Sequence, residues 1–159
     1  MARDRVYTCE FEAVAVSVAV DFFELTPADD KPIEVIGIFL NQSSDIGDAA
    51  AEILRWRVIR GHTTTGTGGT QAATPRPLNR SGAAAGFTYD SCNTTQATAG
   101  TALNLHSDCF HIAAGLGLWL PEGCEWEASQ ADTTLVVRLM AAPTDALTMS
   151  GTLYVIEQG

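Results

Sequence analysis

The densest run of potentially reactive side chains is His106-Ser107-Asp108-Cys109-Phe110-His111. Imidazole, carboxylate and thiolate are all metal-ligand types, so the first chemistry to weigh is a bound transition metal. Strand parity works against it. In an extended chain His106 and Asp108 fall on one face and Cys109 and His111 on the other, so at most two ligands converge. A third would have to come from Cys9, Cys92, Cys124 or His62. The same run contains Ser, His and Asp, but neighbours on one strand cannot set up the proton relay of a hydrolytic triad. No Gly-x-Ser-x-Gly elbow is present either. Gly66-Thr67-Gly68-Gly69 lacks the Gly-Lys-Ser/Thr ending of a phosphate loop, and no helix follows it. No cluster of aromatics around two acids points to glycoside hydrolysis. The expectation is a protein without catalytic residues, metal ligands or cofactor. A metal-dependent enzyme built on the His106 run is the enzymatic alternative.

Charge is distributed unevenly. The 159-residue chain has 9 Lys and Arg against 19 Asp and Glu, a formal net charge of −10. Residues 53–89 nevertheless contain no acid and five arginines: Arg55, Arg57, Arg60, Arg76 and Arg80. Together with Arg3 and Arg5 of the N-terminal arm, these are the expected interaction surface, facing acidic neighbours. The acidic excess excludes nucleic acid, because displacing counterions from phosphates takes clustered Lys and Arg. Glu10 and Glu12 interrupt what would be the apolar part of a signal peptide. The apolar runs 13–20 and 110–120 are shorter than the ~18 residues of a membrane helix. The expectation is therefore a protein made in the cytoplasm with no membrane partner. Four cysteines without Cys-x-x-Cys spacing read as reduced and structural.

The elements that must position these residues are strands. Tyr7, Cys9 and Phe11 alternate with polar residues, and after Glu12 the apolar parity inverts to Val14 and Val16. A bulge near Glu12–Ala13 accounts for the flip. Residues 33–40 are apolar on both parities, as in a central strand. Residues 53–60 place Leu54, Trp56 and Val58 on one face and Arg55 and Arg57 on the other. Residues 110–120 alternate cleanly and read as one strand with Phe110, Ile112, Ala114, Leu116, Leu118 and Leu120 inward. Leu135, Val137 and Leu139, then Met149, Leu153 and Val155, mark the last two strands. Residues 48–52 could make one helical turn. About nine short strands with no amphipathic helix predict a single all-β domain over residues 1–159, a two-sheet antiparallel sandwich of jelly-roll type. Residues 63–80, rich in Gly, Thr and Pro, form its one long loop. Ordering such a loop costs roughly 1–2 kcal/mol per residue, so it needs a surface to pack on. A partner subunit is the expected one, with the domain's own sheet as the alternative.

Four stretches resemble small all-β virion proteins of tailed phages and prophages. They are Phe23-Glu24-Leu25-Thr26-Pro27-Ala28-Asp29-Asp30-Lys31-Pro32, Arg57-Val58-Ile59-Arg60-Gly61-His62-Thr63-Thr64, the segment 129–142, and Thr148-Met149-Ser150-Gly151-Thr152-Leu153-Tyr154-Val155. The resemblance implies a virion component, and within that class capsid decoration or cement proteins are similar in size and β character. It implies as partners the major capsid protein and copies of the chain itself, a trimer being a common form, on the outer capsid surface. It carries over no functional residue. A tail or neck component is the alternative within the virion. From a different class, a jelly-roll carbohydrate-binding module could use Trp56, Trp119 or Trp126 as stacking platforms.

Overall fold

The computed structural model describes residues 5–44, 52–129 and 134–159, among which there is no helix. The strands are β1 (Val6–Val16), β2 (Asp21–Thr26), β3 (Ile33–Gln42), β4 (Ile53–His62), β5 (Thr70–Ala73), β6 (Arg76–Pro77), β7 (Thr88–Asn93), β8 (Leu103–His111), β9 (Leu116–Trp119), β10 (Trp126–Ala128), β11 (Thr134–Leu139) and β12 (Leu147–Glu157). They form two antiparallel sheets. The first has the order β10-β3-β12-β1-β6, with β9 also paired to β3; the second has the order β5-β7-β2-β11-β4-β8. Without β5, β6 and β7, the two orders β10-β3-β12-β1 and β2-β11-β4-β8 are the paired four-stranded sheets of a jelly roll. The sequence-based fold class stands.

The core lies where the inner faces meet. Tyr7, Cys9, Phe11, Ile38, Leu40, Met149 and Leu153 of the first sheet bury against Phe23, Leu25, Trp56, Val58, Leu135 and Val137 of the second. Phe11 stacks on Phe22 at 6.0 Å and tilts against Phe23 at 5.2 Å. Each such side chain contributes about 1.5–3 kcal/mol on burial. Burial also pushes the Cys9 thiol far up and that of Cys92 up to about 12. The parity flip in β1 is a bulge. Phe11 faces Gly151 and Val14 faces Met149, so Glu12 and Ala13 together oppose the single residue Ser150. Ala13 adopts φ 52° and its N–H donates to Ser150 Oγ at 2.9 Å.

Two expectations change. Residues 110–120 are not one strand: β8 ends at His111, a turn through Gly115 at φ 69° follows, and β9 joins the other sheet. Ala114 is accordingly exposed, whereas Phe110 and Ile112 stay in the core. Alternation survived the turn by coincidence, because the sequence supplies hydrophobic residues to two sheets in succession. The strand count is twelve among the described residues, because the presumed loop 63–80 contributes β5 and β6 and Trp126–Ala128 adds β10. The helical turn expected at 48–52 lies, apart from Glu52, outside the described residues.

Candidate functional site

Of the seven arginines expected to form the interaction surface, the six among the described residues do not converge on one face. Arg55 and Arg57 project from the outer side of β4, Arg55 exposed and Arg57 half-buried. No ion-pair partner for either occurs among the described residues. Arg57 lies opposite Arg138 of β11, whose guanidinium is already paired with Asp21. Arg60, beyond a register shift at Val58/Ile59, is aligned with inward-facing Leu135. Its Nη1 donates to the Glu127 carbonyl at 2.9 Å, tying β4 to the neighbouring sheet. Arg76 sits on β6 at the edge of the first sheet and meets Glu10 at 3.4 Å. Arg80 is exposed in the turn after it. Arg5 donates to Glu157 Oε2 at 2.9 Å, and the other oxygen of that buried carboxylate accepts from Gly86 N–H at 2.7 Å. Arg5 thus stabilises the fold rather than a partner. Arg3 lies outside the described residues.

The His106 run divides as parity requires. His106 Nε2 is 3.8 Å from Asp108 Oδ2, while Cys109 and His111 are exposed on the other parity. The imidazole packs between Trp56 at 4.9 Å and Trp126 at 5.2 Å, closing the open end of the sandwich. Among the described residues no three His, Cys, Asp or Glu side chains are placed to hold a metal.

The chemistry absent from the sequence reading lies under the Gly/Thr segment. Between β4 and β8 the chain wraps the far edge of the sandwich: β5 extends the second sheet beside β7, and β6 extends the first beside β1. Bridges Thr64↔Thr98 and Thr67↔Thr95 hold it together. It lies on the outer side of β2 and β7, where Asp21, Glu24, Asp90 and Asn93 are all buried. Glu24 Oε2 accepts from Gly66 N–H at 2.9 Å and Asn93 Nδ2 at 3.1 Å. Asp90 Oδ1 accepts from Ala72 N–H at 2.6 Å. Asp21 receives Arg138 through two bonds of 2.6 and 2.9 Å, and Ala97 N–H at 2.7 Å. Burial pushes the Glu24 carboxyl up to about 7, reinforced by the charges of Asp90 and Asp21 and opposed by the Gly66 and Asn93 bonds. Its second oxygen, Oε1, is buried without a hydrogen-bond partner.

The glycines have a steric reason here. A Cβ at Gly69 would lie 2.0 Å from the Ser91 carbonyl oxygen, and one at Gly66 2.6 Å from that of Thr95. Their role is close approach of backbone to backbone, not phosphate binding. The packing surface for this segment is the domain's own second sheet, the alternative the sequence reading kept open. The signal for the network was two acids, Asp21 and Glu24, inside a strand apolar on both parities; such acids need buried partners.

The outer face of the first sheet carries the other distinctive group. Trp119 of β9, Gly37 of β3 and Tyr154 of β12 align in one cross-strand row, and Gly117, Phe39, Thr152 and Glu10 in the next. Trp119 and Tyr154 rings are 4.7 Å apart, and Phe39 meets them edge-on at 5.3 and 5.9 Å. Trp119 is 57% exposed, whereas Trp56 and Trp126 are buried. Of the three tryptophans named as platforms, one is available to a ligand. Compared with known protein families, curated proteins and solved structures, the chain finds no match in any of the three.

Proposed function

We propose that this chain is a non-enzymatic structural protein of a phage particle that binds the outer capsid surface and stabilises the lattice, with the major capsid protein and further copies of itself as partners. The observation that carries the reading is the pair Arg55 and Arg57, outward on β4 and without an ion-pair partner among the described residues, in a chain of net charge −10. The four stretches that resemble virion proteins support it. Beside the arginines, β8 is the last strand of its sheet and is mostly exposed. Ile53, on the same outward parity of β4 as the arginines, is 63% exposed. The division of labour follows from magnitudes. Exposed ion pairs contribute only ~0–1 kcal/mol each, so the arginines orient and accelerate docking. Burial of Ile53 and of the neighbouring exposed β8 edge adds the affinity.

Imaging of particles with and without the protein tests the proposal. Density on the shell exterior in hundreds of copies is expected; no density there overturns it, and a handful of copies at one vertex assigns the chain to the tail or neck instead. Arg57→Glu should weaken attachment several-fold, mainly through slower association, with little change in melting temperature, because the residue reaches solvent. Parallel losses of binding and stability would contradict a docking role.

A further inference from the structure

The aromatic group on the first sheet's outer face has the construction of a ligand site. Gly37 lies directly opposite Trp119, and a Cβ there would come within 2.5 Å of the indole Cε3. Glycine therefore lets the indole lie down on the strand, with one face on the sheet and the other to solvent. Gly117, opposite Phe39, would bring a Cβ to 3.1 Å from that ring and does the same for it. Exposed large aromatics in a contiguous patch mark a contact surface rather than ordinary surface noise. The patch runs into a groove of about 370 Å³ lined by Phe39, Asn41, Ser150, Thr152, Glu10 and Glu12. The β1 bulge opens that groove by turning Glu12 away from the regular ladder.

We infer that this face binds a neutral polysaccharide, with Trp119 stacking on the apolar face of a sugar ring and the groove hydrogen-bonding its hydroxyl rim. Three features select that ligand. Trp119 alone of the three rings is exposed, with Phe39 at 71° and Tyr154 at 39° to it half-buried in the sheet. The rings therefore offer one platform rather than the several exposed faces an ammonium cage requires. The groove supplies amide, hydroxyl and carboxylate groups, which suit a ligand that both donates and accepts. Glu12 in the groove, together with the net charge of −10 and with Glu10 offset by its pair to Arg76, disfavours polyanions such as sulfated glycans and nucleic acid. The site is on the opposite side of the sandwich from Arg55 and Arg57, so it does not depend on the shell-docking proposal.

The purified full-length chain can be run in native gels containing laminarin, galactomannan or dextran, with dextran sulfate and polylysine as charged comparators. Retardation by at least one neutral polysaccharide is expected. Because Trp56 and Trp126 are buried, acrylamide-quenchable emission belongs to Trp119, and the same polysaccharide should reduce that quenching several-fold. Trp119→Ala should weaken retardation at least tenfold and Trp119→Tyr should restore part of it. Asn41→Ala, which leaves the rings in place, should cost several-fold and serves if Trp119→Ala does not fold. Retardation by none of the neutral polymers, equal retardation of the folded variants, or preference for either charged polymer overturns the assignment.

Discussion

Replacing Glu24 by Gln removes the ionisation of the central carboxyl in the network beneath the Gly/Thr segment while keeping the shape of the side chain. Glu24 faces Gly66 from the wrapped segment, Asp90 and Asn93 from β7, Asp21 from its own strand, and the apolar Val136 and Ile59 across β11 and β4. Burial raises its carboxyl from 4.5 to about 7, so the folded chain holds this proton more tightly than the unfolded chain does. The stability it contributes is fully present below pH 4.5 and is lost as the pH rises through 7. The whole difference is worth about 3 kcal/mol, of which about 2.5 falls between about pH 5 and about pH 8. For a domain of this size that corresponds to roughly 5–10 °C in melting temperature. Thermal unfolding of wild type and E24Q across that range isolates the effect, since other titrating groups are common to both. The wild-type curve should fall relative to the variant as pH rises, and E24Q should be the more stable protein at about pH 8. Amide exchange at Gly66 should accelerate with pH in the wild type beyond the intrinsic rate and lose that excess in E24Q. Parallel curves for the two proteins, or a wild type that gains on the variant at alkaline pH, would refute the reasoning.

Removing Arg138 leaves Asp21 buried with only the Ala97 N–H, so Arg138→Ala should cost about 3–5 kcal/mol in urea unfolding, the usual loss for half of a buried pair. Retention of full stability would mean that the pair is not buried in solution. Gly69→Ala places a methyl group 2.0 Å from the Ser91 carbonyl and should detach β5 from β7, read as new protease cleavage within residues 63–73. Gly123→Ala is the control: its φ of +85° costs about 1 kcal/mol, but nothing lies within 4 Å of the added Cβ. The Arg57→Glu and Trp119→Ala outcomes given above complete the set, one on each side of the sandwich.

The jelly roll was legible because its strands are patterned by two-sided physics. In β12, Met149, Leu153 and Val155 share the buried face, and in β1 the inverted parity after Glu12 required an inserted residue. Period-two burial records which face is covered, and a bulge records where the ladder slips. Neither records which sheet a strand joins. This is why residues 110–120 read as one strand: Phe110 and Leu118 have the same alternation whether the chain continues straight or turns at Gly115 into the other sheet. β5 and β6, of four and two residues, carry no period at all. They exist because backbone groups of the wrapped segment find partners on β7 and β1, and such contacts leave no local pattern beyond the glycines that permit them.

Charge counting reached only part of the way for a related reason. A run of five arginines without an acid is a local statistic, while ion pairing is not local: Arg5 meets Glu157 and Arg138 meets Asp21 across separations of 152 and 117 residues. What the count could not supply was which surface remains open. The wrapped segment covers the outer side of β2 and β7, burying Asp21, Glu24 and Asp90, which would otherwise be solvent-facing acids. Within the second sheet the outer surface left to a partner is then the β4–β8 strip, where Arg55, Arg57, Ser107 and Cys109 line up across the ladder. On the first sheet, where the insertion adds only the two-residue β6 at the edge, the β9-β3-β12 rows stay open with their aromatic rings. A feature first read as a loop awaiting a neighbour therefore acts by subtraction: by covering one half of one sheet, it leaves the two surfaces proposed above open on opposite sides of the molecule, one basic and one aromatic.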